Sequence, residues 1–333
     1  MDSDITAGAL FSGIGGFCIG FMKAGIKTLW AVENDQAAIK TYLRNVENVR
    51  MIVRDIREVS VKDCHLEPVN VLHAGFPCQS FSQAGERKGF DDPRGKLFFE
   101  VIRIIREFKD KKPAVIVLEN SPYLRHGAAG SWYLELSNQI KSAGYWFRDT
   151  NCSELDSYDL TPLPQKRKRL FMVAFAIEHF KNGKFRFPEK QDSSEKNLSS
   201  YINFSGSLED GYYYLHDENR YFKMISNQIE DKNCIYQLRK YLIRVKEPGV
   251  CPTLTANMGL GGHNVPFIHD GRGIRKLTEY ECLRLQGFPE SFVFPEDVSK
   301  PKRYAQIGNS VVVPVAELIA TAVREKITSE KLS

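Results

Sequence analysis

The sequence predicts an α/β protein with a mostly parallel, doubly wound sheet, followed by a smaller, irregular domain. Apolar runs of strand length alternate with helical patterns through residues 5–176, which is typical of a parallel sheet covered by helices. A glycine-rich turn, SGIGG at 12–16, follows the first run. The alternation ends after Phe187-Pro188, where the polar, low-complexity stretch 189–200 is typical of a linker.

Five apolar runs are the predicted strands, and reactive or charged residues stand at the ends of four of them. In a parallel sheet, ligands bind beyond the carboxyl ends of the strands, so these residues are expected to meet at one edge. They are Glu33, Asp55, Cys78 and Glu119. The predicted strands are residues 5–11, 28–33, 51–56, 69–74 and 114–118.

Helical patterns occupy the intervals between the strands and the C-terminal part of the chain. Residues 17–24 and 97–108 have apolar side chains at helical spacing, and the same period returns at 275–288. Gly308-Asn309-Ser310-Val311 is expected to open a final helix over 312–327. Between residues 201 and 246 the period is poor but aromatic and basic residues interleave, which favours a small second domain.

Length, net charge and cysteine spacing limit the classes of protein to which the sequence can belong. The 333 residues suffice for two domains, and the net charge of +5 is compatible with a polyanionic partner without demanding one. Seven scattered cysteines, odd in number and never spaced CxxC, argue against a disulfide framework and against structural zinc, so we predict no metal. The N-terminus lacks a signal-peptide pattern, and no apolar run approaches the roughly 18 residues of a membrane span. We therefore expect a cytoplasmic protein.

The glycine-rich turn at 12–16 lies between a strand and a helix, where a backbone can approach a ligand closely. Glu33 stands at about the distance where an acidic residue binds a ribose hydroxyl. These residues alone do not separate a nicotinamide dinucleotide from an adenosyl cofactor, and a tight turn without a ligand remains an alternative.

Six motifs in a fixed order resemble those of the C5-cytosine DNA methyltransferases of bacterial restriction–modification systems. The resemblance runs nearly end to end and weakens only between 186 and 247. It implies a Rossmann-like, S-adenosylmethionine-dependent methyltransferase fold. The motifs are LFSGIGGF at 10–17, GFPCQSFSQAG at 75–85, LEN at 118–120, QKRKR at 165–169, LTEYECLRLQGFP at 277–289 and IGNSVVVPV at 307–315.

The resemblance also implies a discontinuous first domain, because the C-terminal helix returns to it. We predict a catalytic and cofactor-binding domain formed by residues 1–186 and 304–333. Residues 187–275 are expected to form a target-recognition domain, and residues 276–303 a hinge segment.

The implied chemistry is covalent catalysis on a cytosine ring. Carbon 5 is a poor nucleophile, and addition of the Cys78 thiolate to carbon 6 would activate it. The charge that then develops at N3 and O2 would be neutralised by Glu119 as general acid and by Arg169, which resemblance places on O2. Arg167 is expected beside Arg169 on the same strand and is included in the predicted catalytic set.

The implied methyl donor is S-adenosylmethionine, which leaves as S-adenosylhomocysteine. Resemblance places Glu33 on the ribose and Asp55 on the adenine amine. Asn34 stands where the family often has an aromatic residue on the adenine. The predicted cofactor residues are Phe11, Gly13, Ile14, Gly16, Glu33, Asn34, Asp55, Ile56, Pro77, Leu97, Asn309 and Ser310.

The implied substrate is double-stranded DNA from which the target base is extruded. Residues 80–96, polar, glycine-rich and basic, are expected to form a mobile loop over the base. Resemblance further implies a bacterial protein of the cytoplasm or nucleoid, a monomer, with a separately encoded restriction endonuclease as a partner. The predicted DNA-binding residues are Gln79, Ser80, Ser82, Arg94, Arg239, Lys240, Arg244 and Thr253.

Three alternatives stay open at the level of the sequence. One branch of the family methylates tRNA, although the segment 186–275 and the absence of that branch's CFT motif argue against it. A catalytically silent DNA-binding homologue would have no reason to retain Cys78, Glu119 and Arg169. A nicotinamide oxidoreductase would leave PCQ, QKRKR and GNSV unexplained. The chain departs from the family at Ser121, where valine is usual, which is expected to change the pocket without abolishing activity.

Overall fold

The structure is a computed structural model that describes part of the chain. The strands and helices below are those of the described parts. These are residues 4–77, 95–190, 196–204, 208–214, 222–226, 234–239, 242–245, 247–260 and 264–330.

Twelve strands and ten α-helices form in these parts, with short 3-10 turns between them. The strands are β1 (Thr6–Leu10), β2 (Lys27–Glu33), β3 (Arg50–Val53), β4 (Val71–Gly75), β5 (Val115–Asn120), β6 (Tyr145–Trp146), β7 (Cys152–Asp156), β8 (Lys168–Ala176), β9 (Tyr236–Leu238), β10 (Ile243–Val245), β11 (Pro266–His269) and β12 (Ile274–Lys276). The helices are α1 (Gly16–Lys23), α2 (Gln36–Asn45), α3 (Leu97–Glu107), α4 (Tyr123–His126), α5 (Ser131–Ser142), α6 (Ser157–Leu160), α7 (Phe222–Ser226), α8 (Glu279–Leu285), α9 (Lys300–Asn309) and α10 (Val313–Ser329).

The chain divides into two compact units. The first unit comprises Met1–Asp156, Lys168–Glu189 and Val313–Ser333, and the second comprises Ser157–Arg167 and Lys190–Val312. Helix α10 thus belongs with the N-terminal part of the chain. Residues 157–167 and the whole segment 276–312, which includes the predicted hinge, lie in the second unit.

The first unit contains an eight-stranded sheet in the order β3-β2-β1-β4-β5-β8-β6, with β7 also paired to β8. The pairs from β3 to β5 are parallel, whereas β8 runs antiparallel to β5, β6 and β7. All five strands predicted from the apolar runs are present. The mostly parallel α/β fold predicted from the sequence is confirmed, with an antiparallel edge.

The core of the first unit is aliphatic and aromatic, as both faces of its sheet require. Trp30, Leu72, Phe98, Ile116 and Met172 lie in one buried cluster. Helix α3 contributes a strongly apolar face to this cluster, which explains the dense run LFFEVIRIIREF at 97–108.

Helices α1 and α10 pack on each other so closely that only glycine fits at the crossing. A Cβ atom added to Gly20 would lie 2.7 Å from the Cβ of Ala316 and 2.9 Å from the backbone of Val313 and Glu317. Because real Cβ atoms do not approach this closely, Gly20 fixes α10 against the helix that follows the glycine-rich turn. The C-terminal segment is therefore an integral part of the first unit.

The second unit contains a four-stranded antiparallel sheet in the order β10-β9-β11-β12. Its small core includes Ile225, Tyr236, Ile243 and Phe267. This region is more regular than the poor periodicity of 201–246 indicates. The difference arises because its strands have only three or four residues, too few to establish an alternating pattern.

The last helix begins at Val313, one residue after the predicted start, but GNSV does not open it. Asn309 is the final residue of α9, and Ser310 follows in an extended conformation, with ψ 154°. Helix α10 begins at Val313 with Pro314 in its first turn, where the fixed φ and missing N–H of proline are tolerated. Among the described residues, the helical stretch Lys300–Ser329 has the length and hydropathy of a membrane span, but 61% of its apolar window is buried, as in a core helix.

Candidate active site at the strand ends

The predicted nucleophile, Cys78, lies outside the described residues, but the chain leading to it is well defined. Strand β4 ends at Gly75, and Phe76 is buried with its ring 5.6 Å from that of Phe98. Five other predicted residues also lie outside the described parts: Gln79, Ser80, Ser82, Arg94 and Lys240.

Asn120, at the end of β5, anchors the peptide before the nucleophile. Its fully buried side chain donates from Nδ2 to the carbonyl of Phe76 at 3.0 Å, and its Oδ1 accepts the N–H of Ser121 at 2.8 Å. The bond to Phe76 joins the ends of neighbouring strands two residues before Cys78. This role of Asn120 was not predicted, although its place in the LEN motif was a signal.

Glu119 and Arg169 form an ion pair at the same sheet edge. The Arg169 Nε lies 3.2 Å from the Glu119 Oε1, and the side chains are 19% and 13% exposed. Glu119 stands opposite Gly75 in the parallel pairing of β4 and β5, and a Cβ on Gly75 would lie 3.6 Å from Glu119 Oε2. The missing side chain of Gly75 thus leaves room beside the carboxylate, three residues before Cys78.

Arg167 is not placed beside Arg169, which corrects the prediction of a shared strand. Arg169 lies on β8 in the first unit, whereas Arg167 precedes that strand and belongs to the second unit. The Arg167 side chain is 3% exposed and donates to the carbonyls of Leu254, Gly308 and Ser310 at 2.7, 3.0 and 2.7 Å. A buried guanidinium engaged with backbone carbonyls holds segments together, so the geometry supports a positioning role and not a base contact.

Gln165 has a similar role in the second unit and was missed by the sequence analysis. Its buried side chain donates to the carbonyl of Leu285 at 2.9 Å and accepts the N–H of Leu254 at 3.1 Å. Gln286 continues this network by donating to the carbonyl of Ile307 at 2.8 Å. The QKRKR, TL, LQG and IGNS stretches therefore meet through side-chain bonds to backbone.

The glycine-rich turn presents backbone at the end of β1. Phe11, Gly13 and Gly15 all have positive φ, and Gly15 caps α1. Among the described residues, no heavy atom lies within 4 Å of a Cβ built on Gly13, so a ligand has open access to the backbone there. Ile14 and Gly16 are buried. The open space beside Gly13 fits a cofactor that approaches the turn.

Glu33 is held at the end of β2 by backbone donors. Its Oε2 accepts the N–H of Gly13 at 2.8 Å, and its Oε1 accepts those of Asn34 and Asp35 at 2.9 and 3.0 Å. A carboxylate bound in this way is oriented before any ligand arrives. Of its roughly four lone-pair positions, one on Oε2 remains for a hydroxyl group.

Asp55 follows β3 and is paired with Arg57, an interaction that the sequence analysis did not anticipate. Arg57 donates from Nε and Nη2 to the carboxylate at 2.8 and 2.6 Å, and Asn34 donates to it at 3.4 Å. The hydrogen bonds from Arg57 lower the pKa of Asp55 to about 2. The carboxylate that was predicted to bind the adenine amine is thus ionised and held in place, with Ile56 buried beside it.

The remaining predicted cofactor residues fall into both units. Pro77 and Leu97 are half-buried in the first unit. Asn309 is exposed and Ser310 is buried in the second unit. Gly308 packs so tightly that a Cβ would lie 2.2 Å from the backbone of Thr255 and Ala256.

Three predicted DNA-binding residues can be placed, all in the second unit. Thr253 donates from its hydroxyl to the carbonyl of Lys166 at 2.7 Å, a structural bond. Arg239 is half-buried at the end of β9, and Arg244 is exposed on β10. In the parts of the chain that the structure describes, no group of three or more His, Cys, Asp or Glu side chains is arranged to hold a metal ion.

Solved structures with the same architecture are methyltransferases. The S. pombe Dnmt2 methyltransferase superposes with a TM-score of 0.71 at 19% identity, over 96% of this chain and 99% of that one. A putative DNA modification methyltransferase encoded within an E. coli prophage gives 0.67 at 21% identity, over 97% and 99%. At these identities the likeness establishes the fold alone.

Sequence comparison identifies the family. The chain is 42% identical over 315 residues to the type II methyltransferase M.Bsp6I of Bacillus sp. (strain RFL6), spanning 94% of this chain and 96% of the relative. It is 33% identical over 329 residues to the type II methyltransferase M.NlaX of Neisseria lactamica, spanning 96% of each. The family model for C-5 cytosine-specific DNA methylase matches residues 5–325. The protein therefore belongs to the C-5 cytosine-specific DNA methylase family.

Proposed function

We propose that this C5-cytosine DNA methyltransferase acts on a cytosine flipped out of double-stranded DNA, through a covalent bond between Cys78 and carbon 6. Family membership makes the protein a DNA methyltransferase that uses S-adenosylmethionine. The proposed mechanism rests on one observation, which is that three side chains meet at one edge of the sheet. Glu119 and Arg169 form an ion pair there, and Asn120 bonds to the carbonyl of Phe76, two residues before Cys78.

Each of these residues has a defined task in the proposed reaction. The Cys78 thiolate adds to carbon 6, and the displaced electron pair moves through the ring toward N3 and O2. Glu119 supplies a proton to N3, and Arg169 donates to O2, so that charge is neutralised where it develops. Carbon 5 then takes the methyl group, and S-adenosylhomocysteine would leave. A solvent water takes up the carbon-5 proton, the Cys78 sulfur leaves as a thiolate, and N3 returns its proton to Glu119, which restores the aromatic ring. Asn120 acts by positioning the peptide that carries the thiol.

The donor chemistry is that of S-adenosylmethionine, whose sulfonium methyl group is electrophilic. We propose that Glu33 binds the ribose through a hydroxyl group, because its carboxylate is fixed by three backbone N–H groups with one acceptor position of Oε2 left over. Asp55 would accept the adenine amine while Arg57 continues to donate to both oxygens of its carboxylate. Phe11, Gly13, Ile14 and Gly16 would surround the methionine part, and Pro77, Leu97, Asn309 and Ser310 complete the proposed set.

The biological context follows from the relatives. Because the relatives that match nearly end to end are type II methyltransferases, we propose that this protein serves a restriction–modification system. A separately encoded endonuclease would be its functional partner. We further propose a metal-free monomer in the bacterial cytoplasm. The first and second units would supply catalysis and target recognition, respectively.

The test uses labelled S-adenosylmethionine and duplex DNA. We expect methyl transfer by the wild type and none by Cys78→Ser, which lacks a thiolate. Cys64→Ala is the matched control, because it removes a buried thiol of the first unit away from the strand ends. DNA containing 5-fluorocytosine should trap the wild type, but not Cys78→Ser, as a covalent complex.

Two results would contradict the proposal. Transfer that survives Cys78→Ser would reject the covalent mechanism. Faster transfer to tRNA than to duplex DNA would reject the proposed substrate while leaving the chemistry intact.

A further inference from the structure

Two consecutive segments of the second unit contain no acidic residue. Residues 232–246 include five lysines and arginines but no aspartate or glutamate, and residues 248–269 also lack both acids. These segments supply β9, β10 and all of β11. The first segment, which supplies β9 and β10 at one edge of the small sheet, is therefore cationic, and the acid that follows it, Glu247, pairs with Lys166. An excess of cations of this kind is typical of a surface that binds a polyanion.

Arg239 is the more constrained of the two cations of these segments that the structure describes. It follows β9 directly, and its backbone N–H donates to the carbonyl of Leu242 at 2.9 Å, next to the pairing of Leu238 with Ile243. Its Nη1 donates to the Oδ1 of Asn264. Among the described residues, neither Arg239 nor Arg244 forms an ion pair. Burial, together with the nearby charge of Arg244, lowers the pKa of the Arg239 guanidinium.

Asn264 is itself fixed by a chain of polar contacts. It is 7% exposed and has a φ of 72°, a conformation that asparagine tolerates better than most residues. Its N–H donates to the carbonyl of Leu238 at 2.7 Å, and its Nδ2 donates to the Oδ1 of Asn257 at 3.2 Å. Asn257 also accepts the hydroxyl of Thr255 at 2.8 Å.

This arrangement orients Arg239 without neutralising it. The acceptor that holds its Nη1 is a neutral amide. A guanidinium has five N–H donors, so four are not engaged by any residue that the structure describes. Arg244, by contrast, is exposed and has no such restraint in the described residues. A fixed, charged fork suits a planar target with two acceptors, whereas a mobile cation suits a phosphate.

We propose that Arg239 is a specificity-determining residue that reads a guanine in the major groove of the DNA substrate, while Arg244 contacts a backbone phosphate. O6 and N7 of guanine present the two coplanar acceptors that an arginine fork binds. The inference rests on the proposed function and deepens it: the recognised sequence contains a G·C pair whose guanine is bound by Arg239.

The test measures sequence preference with the full-length protein. A pool of duplexes, randomised on both sides of one cytosine, is methylated and read by bisulfite sequencing, which gives relative rates for each base at each position. We expect Arg239→Ala to lose roughly 10- to 100-fold of the guanine preference at one position. Arg239→Lys, which keeps the charge but not the fork, should lose the preference at the same position.

Companion variants separate base reading from general attraction. Arg244→Ala should lower the rates on all sequences alike and reduce the slope of log affinity against log salt by about one, with the preference intact. Asn264→Gly keeps the backbone conformation and should lose part of the guanine preference. Arg186→Ala, at an arginine of the first unit whose side chain is 84% exposed, is the charge-matched control and should change neither readout.

The inference is overturned if Arg239→Ala slows all sequences equally, or if either Arg239 variant keeps the full guanine preference. A wild type that methylates no duplex at all would instead overturn the proposed function, so the two failures are distinguishable.

Discussion

The two units use the residues of their sequence motifs in different ways. In the first unit, Glu119 and Arg169 stand at strand ends, partly exposed and directed at each other. In the second unit, Gln165 and Arg167 are buried and bound to backbone carbonyls of distant segments. A motif thus marks residues that a fold requires, but only their surroundings tell whether they act on a substrate or on the protein itself.

The interiors of the units differ in the same sense. The first unit buries a histidine, His73, between the rings of Phe17 and Phe21. The second buries a full charge, Arg275, which bonds to the carboxylates of Asp270 and Glu281 at 2.7 and 2.8 Å. In the described residues, the first unit thus surrounds its buried histidine with aromatic rings, whereas the second unit neutralises its buried arginine with two carboxylates.

The largest effect expected from this contrast is on Glu119, whose loss should reduce rate and not stability. Glu119→Gln keeps the shape but removes the proton that N3 requires, so we expect kcat to fall by about 10²- to 10⁴-fold. The thermal midpoint and the affinity for S-adenosylmethionine should stay close to those of the wild type. Single-turnover methyl transfer and calorimetry measure the two quantities. If the free energy of unfolding fell by as much as the activation free energy of methyl transfer rose, Glu119 would be a structural residue like those of the second unit, and the contrast between the units would be wrong.

The next largest effect is on stability, in the second unit. Arg167→Met would leave the carbonyls of Leu254, Gly308 and Ser310 without this donor, at about 1–3 kcal/mol for each one that water does not reach. We expect the free energy of unfolding to fall by about 3 kcal/mol or more in urea titrations. Arg169→Met is the matched variant, since it removes the same charge at the strand ends.

The pair of variants has a clear opposite outcome. Arg169→Met should lose activity with a smaller loss of stability, while Arg167→Met should lose mainly stability. If Arg167→Met unfolds at the wild-type urea concentration and Arg169→Met does not, the positioning role of Arg167 is wrong.

The smallest effect concerns pH and the uncharged interior of the first unit. Burial lowers the pKa of His73 from 6.5 to about 3. Below pH 6.5 the His73 side chain therefore binds a proton in the unfolded chain but not in the folded protein. As a result, the free energy of unfolding decreases as the pH falls from 6.5 toward 3. Between pH 6.5 and 4.5 this amounts to about 2–3 kcal/mol.

The measurement is the difference in the pH dependence of unfolding free energy between wild type and His73→Gln. The variant lacks this proton uptake, and the other titrating groups, common to both proteins, cancel in the difference. Parallel curves over this range would show that His73 titrates normally in the folded protein.

The sequence was sufficient for features that depend on local pattern. Apolar runs located β1 to β5, and the ends of these runs placed Glu33 and Glu119 at one edge of the sheet. Both features could be predicted because a strand is determined by a few consecutive residues. The antiparallel direction of β8 was not predictable, since a strand buried on both faces has the same composition in either direction.

Features that depend on distant partners were missed or misplaced. Arg167 meets carbonyls 87 to 143 residues away in the chain, and no local pattern encodes such pairings. Arg275 was included in a helical pattern but lies on β12. Its side chain can be buried there because Asp270 and Glu281 neutralise its charge. The start of α10 at Val313 and not at GNSV had a readable signal, Pro314, which favours the first turn of a helix.

The packing of α10 on α1 has a consequence for biosynthesis. A ribosome completes the first two hundred residues many seconds before it reaches Val313, at about 5–20 residues per second. Until that last helix emerges, the surface of α1 around Gly20 lacks its covering partner. In the nascent polypeptide, the helix that follows the glycine-rich turn would thus lack its packing partner. A premature stop before residue 313 would yield a chain in which the apolar surface of α1 stays uncovered.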